Sequence, residues 1–194
     1  VIKVYSLEKY QNSLAIIEED FGGISLRNSE FNKLSLTSLL KIFISITDIL
    51  GSIQEEKIIH KDINPSNILW NAKTNQIKLI DFGLSTRLAQ EKLEAKNPDV
   101  LEGTLAYISP EQTSRMNRAI DYRTDFYSLG ATFYELLTQK VPFAETNDSM
   151  ELVHCHIAMR PIPPHEVNQN IPPILSKIIL KLLSKNAEDR YQSA

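Results

Sequence analysis

Asp62, Asn67 and Asp81 are the side chains in this sequence whose types and spacing suit one shared chemistry. Asp62 and Asn67 fall in a single polar stretch, His60-Lys61-Asp62-Ile63-Asn64-Pro65-Ser66-Asn67, between the apolar pairs Ile58-Ile59 and Ile68-Leu69. Asp81 opens Asp81-Phe82-Gly83, 14 residues beyond Asn67, at the end of the strand-like run Ile77-Lys78-Leu79-Ile80. A loop between strands and the end of a further strand can deliver such side chains to one cleft. Two carboxylates and a carboxamide are oxygen donors of the kind that hold Mg²⁺ together with substrate phosphates. The carboxylate left over, Asp62, can then accept a proton from an attacking hydroxyl. Asp and Asn also cap turns, which would account for any one of the three but not for the ordered set.

The elements that must position these residues can be read from periodicity. Residues 1–20 read as two strands joined by the polar turn around Gln11-Asn12-Ser13, stopping at Gly22-Gly23. From Leu34 to Gln54, Leu36, Leu39, Leu40, Phe43, Ile46, Leu50 and Ile53 recur at helical spacing. Short strands follow at Ile58-Ile59, Ile68-Leu69-Trp70 and Ile77 to Ile80. Residues 84–109 are polar and without period, long for a connection and therefore functional or disordered in expectation. Helices are expected again from Phe126 to Leu137, Ser149 to Met159 and Pro173 to Ser184, with Asp148 or Asn147 capping the middle one. Strands, a helix, β-ribbons, a long loop and then helices make an α+β domain whose larger part is helical.

The pairing of His-x-Asp-x-x-x-x-Asn with a downstream Asp-Phe-Gly resembles the catalytic and metal loops of eukaryotic-type protein kinases. More of that family follows in order. Gly103-Thr104-Leu105-Ala106-Tyr107-Ile108-Ser109-Pro110-Glu111 is similar to the segment that ends the activation loop, with Ser-Pro-Glu for the usual Ala-Pro-Glu. Asp125, in Asp121 to Gly130, resembles the aspartate that holds the catalytic-loop backbone, and Asp189-Arg190 the late arginine that pairs with Glu111. Glu18-Glu19-Asp20-Phe21-Gly22-Gly23 resembles the hinge that meets adenine.

The resemblance implies a two-lobe kinase fold, with the last two small-lobe strands and hinge in residues 1–23 and the helical large lobe in 24–194. It implies ATP and Mg²⁺ as cofactors and a protein hydroxyl as acceptor. Asp62, Asn67 and Thr104 would be catalytic, and Asn67 and Asp81 would hold the metal. Ile17 (as gatekeeper), Glu18, Asp20, Leu69 (as the floor under adenine) and Ile80 would line the nucleotide. His60 and Phe82 would pack as a column linking the lobes. The wording His-Lys-Asp-Ile-Asn-Pro-Ser-Asn with Glu-Gly-Thr-Leu-Ala-Tyr-Ile-Ser-Pro-Glu-Gln is closest to the kinase-like modules that begin large bacterial multidomain sensor histidine kinases. That likeness implies ATPase-like, sensor and histidine kinase domains as downstream partners in the same chain.

Several features depart from the family pattern. The chain starts in strand-like Val1-Ile2-Lys3-Val4-Tyr5 without a methionine and stops at Ser193-Ala194, so it is read as a piece of a longer protein. On that reading the Gly-rich loop, the strand lysine and its helix glutamate lie outside it, and the piece alone should bind ATP poorly. Asn64 stands where Ser/Thr kinases place a lysine, and Lys61 where an arginine grips a phosphorylated loop; lysine is no bidentate substitute. No Ser, Thr or Tyr occurs between Thr86 and Thr104, so a fixed charge from Glu91, Glu94 or Glu102 is the alternative to a solvated loop. Asn64 and Lys61 favour a second reading, a pseudokinase docking module, which intact Asp62, Asn67 and Asp81 oppose. A small-molecule kinase would share the Asp-x-x-x-x-Asn loop but not the peptide-shaping Gly103 to Glu111.

Composition narrows the classes further. The 194 residues carry 21 Lys and Arg against 24 Asp and Glu, a net charge of −3 that gives no basic surface for nucleic acid. The single cysteine, Cys155, and the lack of a secretory signal favour a reducing, cytoplasmic setting. No uninterrupted apolar run approaches the roughly 18 residues of a membrane span.

Overall fold

A computed structural model describes residues 1–194 apart from 12, 29, 30, 32, 33, 92–102, 117, 144, 145 and 147. Two strands, β1 (Val4–Tyr10) and β2 (Ser13–Glu18), form an antiparallel hairpin. Its apolar side chains Leu7, Leu14 and Ile16 are exposed, so it contributes little to the core. A short β3 (Ile24–Ser25) follows and then α1 (Leu36–Glu55), whose first turn is capped by Ser35 Oγ accepting from Ser38 N. By length and apolarity alone α1 matches a membrane-spanning helix. Leu39, Ile42, Phe43, Ile46, Leu50 and Ile53 are buried, however, which makes it a core helix of the fold.

The strands around the candidate site are short and each is paired. β4 (Ile58–Ile59) pairs antiparallel with β7 (Thr86–Arg87), and β5 (Ile68–Asn71) with β6 (Gln76–Leu79). β3 adds to the other edge of β5, setting Ile24 opposite Trp70. The register Ile68↔Leu79 brings the residue before β5, Asn67, beside the residues after β6, Ile80 and Asp81. The stretch expected as an unbroken polar loop holds more structure than its composition suggests. Besides β7 it contains α2 (Leu88–Glu91) and a 3₁₀ turn at Leu105–Tyr107.

The helical half is built on α3 (Arg123–Thr138), with α4 (Ser149–Ala158), α5 (Pro164–Val167) and α6 (Pro173–Leu182) around it. Every residue from Thr124 to Tyr134 is buried, the pattern of a helix covered on all sides. Phe133 stacks on Phe43 of α1 with ring centroids 3.8 Å apart. Where α3 crosses α6, a Cβ on Gly130 would lie 2.7 Å from Leu182 Cβ, so only glycine allows that approach. Asp148 caps α4 through bonds from Met150 N and Glu151 N, while Asn147, the other candidate cap, lies outside the described residues.

His156 on α4 is fully buried between Tyr127 and Phe143, with its Nδ1 3.0 Å from the Tyr127 hydroxyl. Burial, helped by the Lys185 ammonium, pushes its pKa down from 6.5 to about 3. The unfolded chain therefore binds a proton that the folded chain refuses. The stabilisation is complete above pH 6.5 and is lost as pH falls toward about 3. At roughly 1.4 kcal/mol per unit, the loss should reach several kcal/mol. His156→Gln, which keeps a partner for Tyr127, should flatten that limb in urea melts between pH 7 and 4; an unchanged pH slope would count against it.

Candidate active site

The catalytic-loop candidate begins with two backbone amides anchored by a distant carboxylate. Asp125, near the start of α3, accepts from His60 N and Lys61 N, each at 2.8 Å. Burial pushes its carboxyl up to about 7 despite those two donors and the nearby Lys61. His60 is also buried, which lowers its pKa and keeps the ring neutral. A neutral ring fits its two bonds: Nε2 lies 3.1 Å from the Ile80 carbonyl, and Nδ1 accepts from Asp62 N at 3.3 Å. Phe82 meets the His60 ring edge-on at 4.6 Å, the expected column. His60 thus ties the strand end that carries Asp81 to the loop that carries Asp62.

Asp62 is braced from both sides. Asn67 Nδ2 donates to Asp62 Oδ2 and to the Asp62 carbonyl, both at 2.9 Å. Thr104 N donates to Asp62 Oδ1 at 3.0 Å. Thr104 therefore braces Asp62 with its main chain; its hydroxyl faces Asn64 Nδ2 at 3.4 Å instead. A carboxylate has about four acceptor positions, so two bonds leave room for a substrate hydroxyl.

Because Asn67 spends its Nδ2 on Asp62, its Oδ1 is the atom left to face a metal. Ile80 N donates to the Asn67 carbonyl at 2.9 Å, closing the distance to the Asp81 strand end. Asp81 sits in the left-handed region with φ +61° and its carboxylate is exposed, accepting from Gly83 N at 3.2 Å. Strain of this kind gathers at functional sites. Among the described residues no three His, Cys, Asp or Glu side chains converge into a metal cage. An exposed carboxylate plus a carboxamide oxygen instead fits a cation that keeps several waters and leans on phosphate oxygens.

The residues expected to meet the nucleotide lie at and just after the end of β2, on β5 and just after β6. Ile17 and Glu18 end β2 and are exposed, and Asp20 Oδ1 caps its own turn by accepting from Gly22 N at 2.9 Å. Leu69 is half-buried on β5 between Ser25 and Lys78 in register, and Ile80 is half-buried beside Asn67. One anchored side chain just after β2 is one that the sequence did not single out. Glu19 accepts from Lys3 N at 2.7 Å and pairs with Lys78, whose hydrogen bond holds its carboxyl below the usual range.

Asn64 does not project toward a phosphate. It is 2% exposed, its Nδ2 donates to the Asp62 carbonyl at 3.1 Å, and its Oδ1 accepts from Ser66 N at 2.9 Å. Glu91 overturns the solvated-loop expectation: it is buried and lies 2.6 Å from Lys61 Nζ. Glu94 and Glu102 fall outside the described residues. Gln112 enters the sequence reading only as the end of the Ser-Pro-Glu-Gln wording, and its residue type gives no signal of the buried role that it takes. Its Nε2 donates to the Lys61 carbonyl at 2.8 Å while its Oε1 accepts from Ser109 N. Gly103, with φ +98°, packs where a Cβ would come within 3.1 Å of that same carbonyl.

Residues 1–194 match the protein kinase domain family over their whole length. Serine/threonine-protein kinase PknB of Mycobacterium tuberculosis is 34% identical over 182 residues, covering 92% of this chain and 28% of that protein. A probable serine/threonine-protein kinase of Clostridium acetobutylicum is 33% identical over 197 residues, covering 100% of this chain and 29% of that protein. Hybrid signal transduction histidine kinase G of Dictyostelium discoideum is 52% identical over 91 residues, 47% of this chain and 3% of that protein. The chain thus spans less than a third of the length of these curated relatives.

Proposed function

Since this chain belongs to the protein kinase family, we propose that it transfers the γ-phosphate of ATP to a serine or threonine hydroxyl of a protein. The carrying observation is Asp62, held at one carboxylate oxygen by Asn67 and at the other by Thr104 N. In this reading Asp62 orients the acceptor hydroxyl and receives its proton as that oxygen bonds to phosphorus and ADP leaves. Mg²⁺, when bound, would neutralise phosphate charge, with Asn67 Oδ1 and the Asp81 carboxylate as its protein ligands. Residues 1–23 would serve as the end of the small lobe and hinge, with Ile17, Glu18 and Asp20 along the adenine edge. Leu69 and Ile80 would lie beneath the nucleotide, and residues 24–194 would form the large lobe.

The 52% identity to part of a hybrid histidine kinase supports placing this domain in a longer signalling protein that also carries sensor and histidine kinase parts. A second reading, a docking module with weak transfer, is favoured by the inward turn of Asn64, which leaves no cation where the family keeps a lysine. Measuring Mg²⁺-ATP binding and phosphate transfer in the full-length protein, with and without Asp62→Ala, separates the two. Binding without Asp62-dependent transfer would select the docking role.

Phosphate on the activation loop should not be the switch. The segment between Thr86 and Thr104 has no hydroxyl to modify, and Ser85 and Thr86 spend theirs on the His60 carbonyl and on Glu91. Phosphatase-treated protein should keep its full rate. A stoichiometric phosphate at Ser85, Thr86 or Thr104 whose removal lowers activity, seen by mass spectrometry, would refute this.

A further inference from the structure

A cavity of about 210 Å³ lies where the first turn of α1 meets the last turn of α3 and the segment before α6. The catalytic-loop candidate hangs from Asp125 at the other end of α3, about 18 Å along the helix from Leu137. Phe31, Leu39, Leu136, Leu137 and Ile171 in the cavity wall are buried, and Leu36 is half-buried beside them. The polar part of the lining is three carboxamides, Gln139, Asn168 and Asn170, with no ionisable side chain among the described residues. Two of them spend their donors on the end of α3. Gln139 Nε2 donates to the Leu136 carbonyl at 3.2 Å, and Asn168 Nδ2 to the Leu137 carbonyl at 3.3 Å. What these two leave is acceptor oxygen: Gln139 Oε1, and the second lone pair of Asn168 Oδ1, whose first takes Asn170 N at 3.1 Å. Gln139 also terminates α3, so these oxygens sit at the negative end of the helix dipole.

Acceptor oxygens at a helix C-terminus repel an anion and match a hydrogen-bond donor. A cation would find no carboxylate there to offset the loss of its water. An apolar cavity of about 150 Å³ holds benzene, and on that scale this one suits a chain of about eight carbons. We propose that the cavity is a binding site for an uncharged amphiphile, a short alkyl or acyl chain whose hydroxyl or amide end donates to the carboxamide mouth. The chain packs against the wall between α1 and α3, and its binding requires neither nucleotide nor acceptor.

The test titrates the full-length protein with 1-octanol and with octanoate by calorimetry. For a ligand of this size, 1-octanol should bind saturably with a Kd below about 1 mM. Octanoate should bind weaker by about tenfold or more, because its carboxylate meets acceptors and the helix C-terminus. Leu36→Trp, which places a larger ring against the cavity from a half-buried position, should weaken 1-octanol by about tenfold or more. Asn170→Lys, at an exposed residue of the mouth, should bring octanoate to within about threefold of 1-octanol. That second variant leaves the core untouched, so it carries the test if Leu36→Trp fails to fold. Three results each overturn the proposal: no saturable binding of 1-octanol to wild type, octanoate binding as tightly as 1-octanol, or either folded variant matching wild type with both ligands.

Discussion

Asp62→Ala is expected to slow phosphate transfer by about 10²- to 10⁴-fold, the span attributed to a positioned general base. Mg²⁺-ATP affinity should change only a few-fold, because the carboxylate is committed to Thr104 N and Asn67 rather than to the nucleotide. The loss belongs in kcat, where an interaction made only with the reacting hydroxyl would appear. Asp62→Asn makes a useful companion, since it keeps the side-chain volume but places a donor amide against Thr104 N or Asn67 Nδ2. It should be nearly as slow as Asp62→Ala. Single-turnover transfer to a protein substrate, measured beside nucleotide titration, checks both statements. Undiminished transfer in Asp62→Ala would remove Asp62 from the role of general base.

Arg190→Met is expected to destabilise the fold by about 3–5 kcal/mol, the cost of stranding one member of a buried pair. Arg190 holds Glu111 through two parallel bonds, Nη1 to Oε1 at 2.6 Å and Nη2 to Oε2 at 2.8 Å. Neither side chain is appreciably exposed. Thr124 Oγ1 adds a bond to Glu111 at 2.8 Å, and Arg190 also donates to the carbonyls of Ser184 and Arg123. Burial alone would raise the Glu111 carboxyl, but the hydrogen bonds and charge of Arg190 outweigh it and hold the pKa below 4.5. A carboxylate so depressed stabilises the fold at all pH above 4.5 and loses that contribution as pH falls through its folded value. For a domain this size the substitution should lower the melting temperature by on the order of 10 °C at neutral pH. Glu111→Leu/Arg190→Met, with no charge left behind, should recover much of the loss. A melting point unchanged by Arg190→Met would show that the pair is not structural.

Both results depend on contacts that differ in how far the sequence could reveal them. The candidate catalytic loop was legible because Asp62, Asn67 and Asp81 lie within 20 residues of one another at fixed offsets. The helix from Leu36 was legible because its apolar residues repeat at 3.6: five of the seven named positions are buried, Leu36 is half-buried against the core and one is exposed. That exception, Leu40, is 37% exposed, since periodicity marks a stripe but not its width. Arg190–Glu111 could be reached only through the family pattern, as 79 residues separate the partners. Thr104 reaches Asp62 through an unforeseen atom, because a main-chain donor leaves no trace in side-chain type. The polar run after residue 84 hid β7 and α2, because two- and four-residue elements are too short to show a period.

By itself the amino-acid order determined which groups can do chemistry here and how the main helices and strands succeed one another. Those properties depend on near neighbours, through residue type, turn-forming tendency and apolar repeat. Tertiary structure alone decided that Glu91 lies buried against Lys61, that Gln112 reaches the Lys61 carbonyl, and that Asn64 turns inward. The physical reason is burial. A charged side chain in a polar loop is best solvated, and only the packing of β7 and α2 against the catalytic loop removes that water and leaves Lys61 as its partner.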